Sequence, residues 1–288
     1  MKNNIKQLLL TIFLFGSIAA NAQNWNQIIK VAADDRENKT LAARTENDYF
    51  GYAVAIDGNY AIVGVTAEDE DTVGANTLTD AGAAYILYNK AGNWVQIKKI
   101  TDLTRSSLDL FGWSVAISGD YAIVGGYRDS KDASEANTLG ASGSAYIFKK
   151  DQGGLDNWGQ VKKITASTRA AGDVFGYSVA ISGEFVIVGA ISEDENASEV
   201  ATLSNSGSAY IFKKDQGGLD NWGQVKKITA STRAVDDRFG FSVAISVDYA
   251  IVGTGVEDED ASEANYLDRS GSAYIFKKDQ GGIDNWGR

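Results

Sequence analysis

Acidic side chains recur in register along this chain, and they are the residues best placed to do chemistry. Counted from the glycine that closes one apolar run, the fourth position is Glu68, Asp129, Glu193 or Glu257, and the seventh is Asp71, Asp132, Asn196 or Asp260. Three copies carry Asp-x-Asp/Asn, as Asp69/Asp71, Asp194/Asn196 and Asp258/Asp260, and Glu135, Glu199 and Glu263 follow in the last three. Clustered hard oxygens suit calcium, which takes six to eight ligands. Asp69, Asp71, Asp194, Asn196, Asp258 and Asp260 are therefore the candidate calcium ligands, although no glycine-bearing calcium-loop consensus follows them. The plain alternative is a solvated acidic rim. A second regularity is an arginine eleven residues after each repeated tryptophan, Arg36, Arg105, Arg169 and Arg233. These are expected to pair with carboxylates of a neighbouring acidic loop.

The chain has no His and no Cys. That excludes histidine- and thiolate-ligated zinc, Ser-His-Asp triads and thiol nucleophiles. Any catalysis would rest on carboxylates, Lys, Tyr or Arg. The formal net charge is −11, and two units more negative without Lys2 and Lys6. Such a surface repels phosphate backbones and anionic headgroups, which disfavours nucleic-acid and membrane-surface partners. Residues 1–22 read as a signal peptide: two early lysines, an apolar run from Leu8 to Ala20, and a small-x-small site at Ala20-Asn21-Ala22. The expected product is a secreted chain without membrane insertion, at the cell surface or beyond it, with residues 23–288 as one repetitive domain.

The elements that position these groups are written four times. Phe-Gly-aromatic recurs as Phe50-Gly51-Tyr52, Phe111-Gly112-Trp113, Phe175-Gly176-Tyr177 and Phe239-Gly240-Phe241, and residues 143–170 reappear unchanged as 207–234. A long fixed period marks a supersecondary module that buries its faces against copies of itself. Within the third copy, Tyr177, Val179 and Ile181 alternate with small residues, the period of a strand. Gly183-Glu184 turns the chain into the apolar run 185–189, a third strand spans 208–213, and a fourth runs from Trp222 to Ile228. Lys226 and Lys227 on that fourth strand are expected to guard an outer edge. Each unit is thus a four-stranded antiparallel meander, and radial repetition of such sheets is an all-β propeller. The repeats span about 50–110, 111–174, 175–238 and 239–288.

Phe-Gly followed a dozen residues later by Gly-Ala (Phe175-Gly176 to Gly189-Ala190), with the Gly-Ser-Ala-Tyr-Ile-Phe segment, resembles the FG-GAP repeat of integrin α-chain propellers, and more closely the short secreted bacterial type. The resemblance implies a propeller used for cell adhesion or extracellular binding. Integrin-type repeats place a calcium loop between the first two strands, but here that connection is as short as Ser182-Gly183-Glu184, so those sites do not transfer. Val247 replaces the turn glycine in the last copy. A β-branched residue resists positive φ, so the fourth hairpin is expected to turn differently.

Residues 25–31 match the fourth strand yet precede the first Phe-Gly, and the last unit ends where its own fourth strand would begin. The first expectation is that 25–31 closes the last blade to give four sheets of four; the second is that four blades belong to a larger propeller. The leading function is a non-enzymatic module recognising an extracellular protein or glycan through its loop face. A carboxylate-dependent glycan-cleaving enzyme and a purely structural matrix component are the alternatives. The aromatics beside Phe-Gly and at the head of strand four read as core, with sugar stacking as the competing role.

Overall fold

The computed structural model describes residues 29–33, 48–200, 202–258 and 265–287. The signal segment 1–22, residues 25–28, Arg36 and Asp260 lie outside them. The residues from Val31 onward form one compact unit. Its first sheet orders β1 (Phe50–Asp57), β2 (Tyr60–Val65), β3 (Ala83–Lys90) and β4 (Asn93–Ile100) as a meander. The second holds β5 (Ser114–Ser118), β6 (Tyr121–Gly126), β7 (Ser144–Lys149) and β8 (Gly159–Ile164), and the third holds β9 (Phe175–Ser182), β10 (Phe185–Ala190), β11 (Ser208–Lys213) and β12 (Gly223–Ile228). The fourth has three strands, β13 (Ser242–Ile245), β14 (Tyr249–Thr254) and β15 (Ser272–Lys277). Within each sheet the strands pair antiparallel. No helix among the described residues is long and apolar enough to cross a membrane. The all-β propeller of repeated antiparallel blades is the architecture observed.

The blades pack face to face. β1 lies beside β5, β5 beside β9 and β9 beside β13. Between the second and third sheets, Ile123, Ala145 and Ile147 of one face meet Val179, Ile181, Val188 and Tyr210 of the next. The same positions recur in the flanking clusters. Glycine in the second strand allows the close approach: a Cβ on Gly189 would stand 2.1 Å from the carbonyl oxygen of Gly240. Ser178 Oγ donates to that same carbonyl at 2.7 Å. The Phe-Gly phenylalanines anchor each joint. Phe111, Phe175 and Phe239 are fully buried, and short parallel bridges tie them to Gly82, Gly143 and Gly207 of the preceding blade. Burial of this size, at about 25 cal/mol per Å² of apolar surface, holds the array together without disulfides.

One expectation is corrected here and another is met. Among the described residues the sixteen-strand closed ring is not formed: the fourth sheet has three strands and one further bridge, from Lys277 to Gly287, and residues 29–33 belong to none. Four blades leave the two end faces unmatched, with Val54 and Ile56 exposed on the first sheet and Ile251 and Ile275 on the last. The fourth hairpin does differ. Gly58, Gly119 and Gly183 turn with φ near +55°, whereas Val247 has no positive φ. There Ser246 closes the turn, accepting from Tyr249 N through its Oγ at 3.2 Å.

Candidate functional site

The loops that leave the second strands share one end of the blades with the Phe-Gly turns, because Phe50 pairs with Val65 at the end of β2. The acidic fourth position is not rim. Glu68, Asp129, Glu193 and Glu257 are all at most 2 % exposed. Each accepts the hydroxyl of the tyrosine in the third strand: Tyr85 to Glu68 at 2.9 Å, Tyr146 to Asp129 and Tyr210 to Glu193 at 2.5 Å, and Tyr274 to Glu257. A lysine from the fourth strand completes the set, Lys99 on Glu68 at 3.2 Å, Lys163 on Asp129 at 2.7 Å and Lys227 on Glu193 at 3.3 Å. The expectation that Lys226 and Lys227 guard an edge is therefore wrong for Lys227, which is 6 % exposed. Successive strand residues face opposite ways, so its neighbour Lys226 points to the next blade and donates to Asn285 Oδ1 at 2.7 Å.

The six candidate calcium ligands are spread over three loops, and those described cap their own backbones. Asp69 Oδ1 accepts from Asp80 N, Asp194 Oδ1 from Asn205 N and Asp258 Oδ1 from Arg269 N. Asp71 Oδ1 accepts from Val73 N and Ala75 N, and Asn196 Oδ1 from Ser198 N and Val200 N. Glu193, Glu195 and Glu199 do bring three carboxylates together. Lys227 already stands there as the cation, 2.9 Å from Glu199 Oε2. The donor set suits an ammonium better than a calcium ion. Burial, then the neighbouring Glu195, pushes Glu193 up to about 8.

The arginines make a different bond from the one expected. Arg105 donates to the carbonyls of Asn76 and Asp69, Arg169 to Ser130 O and Ser142 Oγ, and Arg233 to Asp194 O and Ser206 Oγ. They stitch each inter-blade link to the backbone of the preceding loop. A further repeated acid lies two residues before Phe-Gly, as Asp48, Asp109, Asp173 and Asp237. Its register was visible in the sequence and passed over. Asp109, Asp173 and Asp237 accept from Ser106 N, Ala170 N and Ala234 N and so fold the link. Burial raises Asp109 to about 7 and Asp173 to about 6.

On this rigid frame sits a row of aromatic rings, one after each Phe-Gly. Tyr52 lies 4.6 Å from Trp113, Trp113 lies 5.5 Å from Tyr177, and Tyr177 lies 5.5 Å from Phe241. Tyr127 joins it, 4.5 Å from Trp113. Tyr52 and Phe241 are nearly half exposed and the inner rings partly so. The strand-four tryptophans do the opposite: Trp158, Trp222 and Trp286 are buried against Tyr60, Tyr121 and Phe185 of the preceding blade. Of the repeated aromatics, the row is open to a ligand and these tryptophans are core. An open groove of about 630 Å³ also runs between the first two blades, lined by Asp71, Lys98, Arg105, Lys131 and Trp158.

An array of repeated antiparallel blades carrying loop-face side chains defines a binding or structural propeller module. The FG-GAP repeat family matches residues 25–88, 94–148, 158–212 and 222–276, and the chain belongs to that family. Each matched unit after the first starts at or beside the tryptophan, so it joins the last strand of one blade to three strands of the next. No curated relative matches the chain. Among solved structures, a Trypanosoma rangeli sialidase in complex with the inhibitor DANA is similar, at 14 % identity and a TM-score of 0.41. The alignment covers 82 % of this chain and 37 % of the sialidase chain.

Proposed function

We propose that this chain is an exported, non-enzymatic adhesion module that takes an extracellular protein or glycan on its loop face. The carrying observation is the aromatic row Tyr52, Trp113, Tyr127, Tyr177 and Phe241. Aromatic rings are enriched at interfaces because they offer large, stiff contact area, and here the buried Tyr-acid-Lys sets and the Arg stitches hold the surrounding loops fixed. Pre-organisation of that kind lowers the ordering cost of binding. Export rests on the N-terminal signal read in the sequence.

The carboxylates with raised values, Asp109 and Glu193, would suit a general acid. Each is nonetheless buried and spent on a backbone amide or on Tyr210 and Lys227, which favours binding over glycan cleavage. Binding of the exported chain to a glycan array and to extracellular extracts tests the reading. Trp113→Ala, at the centre of the row, is expected to weaken capture by about thirtyfold, the scale of an interface hot spot, measured well below the variant's melting temperature. Equal capture by wild type and variant would defeat it. Millimolar calcium is expected to leave capture and melting unchanged.

A further inference from the structure

The link between the first two blades departs from its repeats at three positions. Between the second and third blades, Gln224 of β12 laces the link to the strand. Its Oε1 accepts from Ser167 N at 3.1 Å and its Nε2 donates to Ser167 Oγ at 3.0 Å. In the first link the aligned residue is Leu103, which has no hydroxyl, and Gln160 Oε1 is buried with no hydrogen-bond partner. Beside it stands Asp102, where the other links have Ala166 and Ala230. Asp102 is 4 % exposed; Tyr146 and Thr104 donate to its Oδ2, both at 3.1 Å, and its Oδ1 has no partner. Lys131 is the third departure, in place of Glu70 and Glu195.

The departures meet in one place. Asp102, Leu103, Lys131 and Gln160 all line the groove of about 630 Å³ between the first two blades. Asp102, Leu103 and Gln160 also line a second hollow of about 340 Å³. Both volumes fall within the roughly 300–1,000 Å³ of small-ligand sites. On the walls, Lys98 Nζ donates to the neutral amide of Asn157 at 2.7 Å. Lys131 Nζ donates to Thr104 O at 3.3 Å, with Glu135 Oε2 3.9 Å away. Each ammonium has further protons to give. A buried acceptor left without a donor is costly, so an occupant gains by bringing donors to Gln160 Oε1 and Asp102 Oδ1. A strongly charged occupant would meet its own sign, either at Asp71 and Asp102 or at Lys98 and Lys131. A hydroxyl meets both kinds of wall, because it donates and accepts. Leu103, 78 % exposed, adds an apolar surface for the C–H side of a sugar ring.

We propose that the groove between the first two blades binds a neutral oligosaccharide, at a site separate from the aromatic row. Sugar hydroxyls donate to Gln160 Oε1 and Asp102 Oδ1 and accept from Lys98 and Lys131, while Leu103 packs on a ring. Two hollows that share a wall suit a short chain of sugars better than a single ring. The link between the second and third blades has Ala166, Ser167 and Glu195 at the three positions, and its glutamine is already bonded. The same scaffold thus carries a site at one joint and a plain joint beside it.

Calorimetric titration of the exported chain with neutral hexasaccharides of glucose, mannose, xylose and galactose tests this, beside uronic-acid and glucosamine hexasaccharides. At least one neutral sugar is expected to bind, and more tightly than the charged ones. Leu103→Ser, Asp102→Ala and Lys131→Glu each install the residue that the next joint already has, so the variants should fold. Each is expected to weaken the binding by about tenfold or more, the scale of one lost polar contact. Leu155→Ser, at an exposed leucine outside the groove, should bind as wild type does. Undiminished binding by Leu103→Ser and Asp102→Ala overturns the proposal, as does a preference for the charged sugars. Binding lost in Trp113→Ala but kept in Leu103→Ser would assign the sugar to the aromatic row and overturn the groove. No heat with any neutral sugar, the result for a groove that holds water alone, also overturns it, and leaves protein capture on the row standing.

Discussion

The strands β7, β11 and β15 have the same six residues, Ser-Ala-Tyr-Ile-Phe-Lys, and two different environments. In β7 and β11 every residue but the lysine is buried; in β15 only the tyrosine and the phenylalanine are. The side that faces the preceding blade is covered in all three, and the side that should face a following blade is covered in two. Identical local sequence thus gives identical strand, register and tyrosine bonding, while burial is conferred by the neighbour. In this array stability is a property of joints more than of blades.

That contrast can be broken by paired substitutions, read in dilute solution by chemical denaturation. The largest effect is expected at the buried ion set. Lys163→Met leaves Asp129 buried and short of its cation and is expected to cost about 3–5 kcal/mol. Glu257→Gln removes a charge that has no lysine and should leave stability unchanged or slightly higher. Next, Ile211→Ala opens a cavity in a complete joint, at a cost of about 2–5 kcal/mol. Ile275→Ala, its counterpart at the open end, should lie within about 0.5 kcal/mol of wild type. Equal losses at 211 and 275 would show that the fourth sheet is covered in solution. The glycines sharpen the same point. Gly189→Ala forces a methyl against a backbone carbonyl and is expected to cost about 1–3 kcal/mol, while Gly253→Ala meets only a serine hydroxyl that can rotate away.

The smallest expected effect is in pH. Asp109 and Asp173 have folded values raised to about 7 and 6 by burial, against about 4 when unfolded. Between those limits the folded chain holds protons that the unfolded chain has released, so stability falls as pH rises through that window. Below pH 4 both states are protonated, and above pH 7 neither carries the extra proton. Asp132, held low by Asn137 and Ser134, loses its contribution only at more acidic pH. The melting temperature should therefore be a few degrees higher, by about 2–4 °C, at pH 5 than at pH 7.5. Asp109→Asn, which can still accept from Ser106 N, should reduce that slope.

Much of this could be read from residue order. The Phe-Gly period, the alternation of Tyr177, Val179 and Ile181, and the turn glycines specify strands and blades through local sterics and a period of two. Val247 announced an altered turn for the same reason. Adjacent lysines at 226 and 227 carried a hint that was missed, since neighbours on a strand cannot both face outward. The buried lysine partner of Glu193 was not legible, because it arrives from a strand more than thirty residues away and only folding brings the two within bonding distance.

The amino-acid order by itself determined the repeating antiparallel blade and the place of each aromatic and acid within it, because these depend on contacts within one module. Tertiary structure alone decided which acids are buried and neutralised, which rings line up across blades, and which blade faces lack a cover. Those properties arise where modules meet, and one module's sequence is the same whether or not another stands beside it.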